Sequence, residues 1–199
     1  MANIRVMLVD EQRERQAAVS HLLASADCEL IAALTSADDL LGQVLEQQPD
    51  VVIIDLDSPG RDTLESLQTV QAQMPRPMVM FSQDDQGESI RRAVEAGVSA
   101  YVVDGIQAKR VRPILEAAMA RFEQFQRLEQ ALDKARGELA ERKRIERAKG
   151  IVMAQRGLGE EEAYRLLRKA AMDQNKRLAE IAEAVIAAAE LLGSTPTAS

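Results

Sequence analysis

The chain has 199 residues and a mass near 21.9 kDa, room for one large domain or two small ones. Hydrophobic residues at 46% can supply a core, while a single cysteine (Cys28) and a single histidine (His21) exclude a disulfide framework, Cys-rich or His-based metal sites and Ser-His-Asp triads. The formal charge of −7 is uneven: residues 1–112 hold 10 Lys/Arg against 18 Asp/Glu, and residues 142–177 hold 11 against 5. An acidic module followed by a basic one is expected to have different partners. Three Phe, two Tyr and no Trp argue against nucleic-acid binding by base stacking on many aromatics. No apolar run reaches the length of a membrane helix, and Met1–Arg5 has no signal-peptide layout, so a cytoplasmic protein with no membrane partner is expected.

Strands and helices alternate through the first half. Ile4–Val9 is β-rich and ends at Asp10-Glu11, and residues 12–25 carry an apolar helical face of Ala18, Val19, Leu22 and Leu23. His21 falls on this helix with no catalytic role expected, and Cys28 is expected to be a simple buried or partly buried thiol. Leu30–Leu34 reads as a second strand, residues 37–47 as a helix, and Val51–Ile54 as a strand buried on both faces that ends at Asp55. Pro77–Phe81 and Ala100–Val103 repeat the pattern. Five strands alternating with helices predict a doubly wound parallel α/β sheet over residues 1–112.

Beyond Ala108 the period is helical. A helix is predicted to start at Pro113, since proline is tolerated only near a helix start. Phe125, Leu128, Leu132, Ala135 and Leu139 keep 3-4-3-4 spacing, the seam of a coiled coil, until Arg142 breaks it. This assigns residues 113–142 to a coiled-coil linker helix, with homodimerisation or packing within one chain as the two uses of its seam. A fresh apolar phase at Ile145, Ala148, Ile151 and Val152, and breaks at Gly157–Gly159 and Asp173–Asn175, predict a three-helix all-α module over 143–193. Tyr164, the only aromatic in the module, falls within its apolar pattern and is assigned to the core, with base stacking as the alternative. Residues 194–199 read as a disordered tail.

Ligands of open α/β sheets bind beyond the carboxyl ends of the strands. There the chain places Asp10, Glu11, Asp55 and Asp57, with Ser82 and Asp104 after the fourth and fifth strands. Carboxylates converging on one rim repel unless a cation sits between them, and oxygen-only ligands favour Mg²⁺. These residues resemble the receiver domain of response regulators, across roughly residues 3–120. In that resemblance Asp10-Glu11 match the acidic metal pair, and Asp55-Leu56-Asp57-Ser58-Pro59 match the phosphoacceptor Asp55 with its downstream proline. Ser82 and Tyr101 match the switch hydroxyl and switch aromatic. One departure stands out. Receivers carry Lys-Pro after the fifth strand, and this chain reads Asp104-Gly105. A carboxylate at about 5 Å from a phosphoryl site costs about 3 kcal/mol at an effective dielectric near 20. Lys109 or Arg110 are the nearby candidates to replace the missing lysine. The expectation is a receiver whose phosphorylation switch is weak or absent.

The run Ile145–Met153, continuing through Arg156-Gly157-Leu158, Glu162–Arg168 and Ala171–Ala182, resembles the ANTAR domain, a three-helix RNA-binding module, from about residue 130. A receiver, a coiled coil and an ANTAR module together resemble the ANTAR antitermination response regulators, and Asp104-Gly105 is similar to their nitrate-assimilation branch, NasT. The resemblance implies no catalysis. It implies RNA contacts from Lys143, Arg144, Arg147, Lys149, Arg156, Lys176 and Arg177, to paired hairpins of a leader RNA whose binding prevents termination. It also implies control by a nitrate-binding sensor protein. For each basic residue the alternative is a solvated helix surface with ion pairs to Glu146, Glu160 or Glu161. Two other functions are carried forward: a DNA-binding response regulator controlled by phosphorylation of Asp55, and a signalling relay with no nucleic acid.

Overall fold

The computed structural model describes residues 3–57 and 59–193, the side chain of Arg13 excepted. Ser58 of the Asp55–Pro59 motif and the tail at 194–199 lie outside the described residues. The elements run β1 (Ile4–Asp10), α1 (Arg13–Ala24), β2 (Cys28–Leu34), α2 (Leu40–Gln47), β3 (Val51–Asp55), α3 (Arg61–Gln73), β4 (Met78–Ser82), α4 (Gly87–Glu95) and β5 (Ala100–Val103). Then follow α5 (Ala108–Arg156), α6 (Glu160–Asp173) and α7 (Leu178–Leu191). The chain forms two compact units that part between Arg127 and Leu128.

In the first unit all strand pairs are parallel, in the order β2-β1-β3-β4-β5. Strand side chains alternate between faces, and the core divides accordingly. Met7, Val9, Val52, Ile54 and Met80 pack under α2, α3 and α4 through Val44, Leu67, Val70 and Ala93. Val6, Leu8, Ile53, Val79 and Phe81 pack under α1 and the first turns of α5 through Val19, Leu23, Val111 and Leu115. Burial on both faces is why β3, β4 and Val6–Val9 of β1 read as unbroken apolar runs. Cys28 is buried in the second of these layers, and burial pushes its thiol up from the ordinary value. His21 is exposed on α1.

Helix α5 starts five residues before Pro113 and runs unbroken past Arg142 to Arg156. The predicted start at Pro113 is therefore corrected to Ala108. The proline lies in the second turn, where its missing N–H forgoes a bond to Lys109 and leaves the rest of the ladder intact. The change of apolar phase at Arg142 alters what packs on the helix; the backbone hydrogen bonds continue regardless.

In the second unit, Ala148 and Ile151 of α5, Leu167 and Ala171 of α6, and Ile181, Ala182 and Ile186 of α7 form one core. Gly157, at φ +65°, ends α5 in the left-handed conformation that favours glycine. Glu162 and Glu180 reach back to accept the backbone N–H of Gly159 and Arg177, satisfying donors at the starts of α6 and α7. Tyr164, assigned to the core from its spacing, is instead 41% exposed. The positions flanking it in the helical period, Ala163 and Leu167, are the buried ones and turn it outward.

Leu67→Ala empties a fully buried position and is expected to lower stability by about 2–5 kcal/mol. Leu45→Ala, on an exposed position, should change it by about 0.5 kcal/mol or less. Urea unfolding of both variants checks the two-face core.

Candidate functional site

The pairing register sets the acidic site. Asp10 at the end of β1 stands directly opposite Asp55 at the end of β3. Both carboxylates are almost wholly buried. They line a small cavity of about 180 Å³ with Glu11, Gln12, Arg15, Leu56 and Asp57. One cation enters it. Arg15, the third residue of α1, sends its Nε to Asp10 Oδ2 at 3.3 Å and a terminal nitrogen to Asp55 Oδ2 at 2.6 Å. Helical side chains lean toward the helix N-terminus, so a long residue in the first turn of α1 reaches back over the strand ends. The second oxygen of Asp10 accepts the backbone N–H of Gln12 at 2.8 Å.

The four residues expected to share a cation all line this cavity, but Arg15 bridges the two that are buried, Asp10 and Asp55. The Glu11 carboxylate accepts the backbone N–H of Ser36 at 2.9 Å, tied to the loop after β2, and Asp57 is exposed. Among the described residues no group of three or more His, Cys, Asp or Glu is arranged to hold a metal ion. The Mg²⁺ expected at Asp10, Glu11, Asp55 and Asp57 therefore does not fit this arrangement. Mg²⁺ is ordinarily held by one or two carboxylates and waters, and here a guanidinium already occupies Oδ2 of both Asp10 and Asp55.

Electrostatics follow from burial. Burial pushes the Asp55 carboxyl above its ordinary value; Arg15 opposes the rise, and Asp10 and Asp57 add to it. Burial also works against the charge of Arg15, yet Asp55 and Asp10 together hold its guanidinium above the ordinary value.

The switch residues form a hydrogen-bonded chain beside the rim. Ser82 Oγ donates to the carbonyl of Asp57 at 2.7 Å and accepts the N–H of Asp84 at 3.1 Å. The Tyr101 hydroxyl donates to the carbonyl of Asp84 at 2.8 Å. Ser82 and Tyr101 are thus tied through the loop after β4, and the serine hydroxyl is engaged with backbone. Asp104 adopts φ +86° and is exposed. Neither it nor Lys109 nor Arg110 lines the acidic cavity. Asp104 lies outside the residues that line the rim, and the nearby cation is Arg15, which no motif pointed to. Its only sequence signal is a long cationic side chain five residues after the first strand-end aspartate.

A second cavity, about 420 Å³, lies on the same unit between α4, β5 and α5. Ile90, Val94, Tyr101, Phe122 and Phe125 supply most of its apolar wall.

In the second unit the basic residues sort by their partners. Lys149, expected to contact RNA, is nearly buried and held between Glu146 at 2.5 Å and Glu160 at 2.7 Å. Its hydrogen bonds to these glutamates raise the ammonium above its ordinary value and lower Glu160 below its own. Arg144 pairs with Glu183 at 3.5 Å, Arg147 with Glu190 at 2.8 Å, and Arg177 with Glu141 and Glu180 at 3.8 and 3.9 Å. These exposed pairs are each worth about 1 kcal/mol or less, so an incoming phosphate can displace them. Lys143, Arg156 and Lys176 are exposed and make no ion pair among the described residues. Exposed Arg168 and Lys169 on α6, not singled out from sequence, are also unpaired among the described residues and lie near Tyr164 in the helical period.

Comparison with known proteins assigns both units. Residues 6–116 match the response regulator receiver domain and residues 133–186 match the ANTAR domain. The chain is an ANTAR response regulator. It is 26% identical over 190 residues to the transcriptional regulatory protein PdtaR of Mycobacterium tuberculosis, covering 96% of this chain and 91% of that one. It is 37% identical over 93 residues to a nitrate regulatory protein of Klebsiella oxytoca, where the match covers 47% of this chain and 24% of the relative. The receiver fold is shared with the signal receiver domain of a modulated diguanylate cyclase from Desulfovibrio desulfuricans G20. There the TM-score is 0.53 at 17% identity, over 61% of this chain and 97% of that one. A CheY-like receiver from Methanospirillum hungatei JF-1 also gives 0.53, at 16% identity over 61% and 98%.

ANTAR response regulators of this two-domain build are regulators rather than enzymes, and RNA antitermination is the family's function. Receivers as a family hold Mg²⁺ at the acidic rim. No helix among its described residues is long and apolar enough to cross a membrane.

Because the folded Asp55 holds its proton more tightly than an unstructured aspartate, its own contribution to stability is greatest below the ordinary carboxylate range. It falls as pH rises through the folded pKa. Asp55→Asn is expected to raise the urea midpoint at neutral pH and to lose that advantage in acid. An equal effect at both pH values would contradict the burial argument.

Proposed function

We propose that this chain is a cytoplasmic transcription antiterminator that binds paired hairpins in a leader RNA. Its targets are nitrate or nitrite assimilation genes, and its receiver is controlled by a docked nitrate-binding sensor protein rather than by phosphorylation of Asp55. The observation that carries the RNA reading is the cationic surface of the ANTAR unit. Lys143, Arg156 and Lys176 are exposed and unpaired among the described residues, and Arg144, Arg147 and Arg177 sit in weak surface pairs. Such a surface neutralises phosphates and hydrogen-bonds unpaired loop bases without aromatic stacking. The exposed residues of α7 include Glu180, Glu183, Ala184, Ala187 and Glu190. That face is poor in base-reading donors, which disfavours a DNA recognition helix.

The nitrate reading is supported by the likeness to the Klebsiella oxytoca nitrate regulatory protein. Partner control is supported by the engaged Ser82 hydroxyl and by the apolar cavity walled by Ile90, Val94 and Phe122, a surface for the sensor to dock on. The coiled-coil seam belongs to the same reading. Phe125, Leu128, Leu132 and Leu139 are 50–62% exposed, and Ala135 is exposed with them. A second copy of α5 would cover these apolar residues at heptad spacing. Two RNA-binding units on one dimer would then meet two hairpins, with a gain in effective concentration.

Full-length protein should bind a two-hairpin leader RNA, and Asp55→Ala should bind it equally well. Lys143→Glu and Arg156→Glu should each weaken binding by about tenfold and lower the salt slope by about 1. Retained affinity in both reversals, or a preference for duplex DNA, would overturn the RNA reading. In sedimentation, Leu132→Glu is expected to turn a dimer into a monomer and to remove the advantage of two hairpins over one. An unchanged sedimentation coefficient would refute the seam.

A further inference from the structure

We propose that Arg15 is a built-in counter-ion that holds Asp10 and Asp55 together and excludes a divalent cation from the receiver rim. Three observations meet on this residue. The strand register brings two buried carboxylates side by side. The Arg15 guanidinium is the cation that touches both, through Nε to Asp10 and a terminal nitrogen to Asp55. Of the other acidic residues lining the cavity, Glu11 spends one oxygen on the Ser36 N–H and Asp57 is exposed.

A guanidinium stays protonated at every physiological pH and presents its donors in a planar fork. Tethered at the third position of α1, it competes intramolecularly with any free ion for the same oxygens. A divalent ion entering the rim must displace it or accept a positive neighbour. One guanidinium offsets one of the two buried carboxylate charges from within, and the resting state is set without metal. This inference stands apart from the RNA reading, since it concerns the receiver rim alone.

Metal binding by full-length protein tests it, read by titration calorimetry with Mg²⁺ and by Mn²⁺ broadening of backbone amide resonances at residues 10–12 and 55–57. The arms are wild type, Arg15→Gln and the double variant Arg15→Gln/Asp55→Asn. A merely structural arginine would alter stability without altering these readouts. Arg15→Gln is expected to gain saturable binding at millimolar Mg²⁺, at least about tenfold tighter than wild type. The double variant should lose that gain, which places the metal at this rim. Wild type binding as tightly as Arg15→Gln would overturn the proposal. So would the absence of binding in both, since Arg15 would then not be what excludes the ion. A gain that survives Asp55→Asn would overturn it as well, because the metal would lie elsewhere.

Discussion

The in-register parallel pairing of β1 with β3 is the constraint on which the receiver unit depends. It sets the alternation that sends Met7 and Val9 to one core layer and Val6 and Leu8 to the other. It also ends both strands on an aspartate at the same level, Asp10 beside Asp55. Two buried carboxylates at that distance repel strongly, and in a poorly solvated rim the repulsion must be met locally. Arg15 meets it, because α1 begins three residues after β1 ends and its first turn overhangs the site. A shift of one residue in the pairing would turn every side chain of the strand to the opposite face, dismantling core and rim together.

Charge pairing divides the basic residues of this protein by what they do. Some are consumed internally: Arg15 in the acidic rim, Lys149 between two glutamates where α5 meets α6. Others stand free or in surface pairs that solvent already weakens, such as Arg144 and Arg147. A net count of +6 over residues 142–177 cannot distinguish them, although only the second group is available to a polyanion. The same distinction explains how a chain of overall charge −7 presents a cationic surface: its acidic excess lies in the receiver half.

The departures from expectation share one cause. Spacing placed Tyr164 in the core, but its neighbours Ala163 and Leu167 are the buried ones and leave the ring outside. Spacing grouped Glu11 with the metal pair, but a free backbone N–H at Ser36 binds its carboxylate first. Asp104 was expected to burden the phosphoacceptor site, yet it turns through a left-handed conformation and lines no part of the rim. Each outcome hangs on a competition between partners distant in sequence.

By itself the sequence determined the α/β order, the buried strands, the aspartates at strand ends, the helical second half and the two family resemblances. These are encoded locally, in apolar period, strand-end residues and motif spacing. Tertiary structure alone decided that α5 continues through Pro113 and past Arg142, that Ser82 bonds backbone, that Lys149 is spent in an ion pair, and that Arg15 sits between Asp10 and Asp55. The physical reason is reach: a long charged side chain finds its partner among groups that the chain brings near only after folding, and sequence spacing carries no record of that distance.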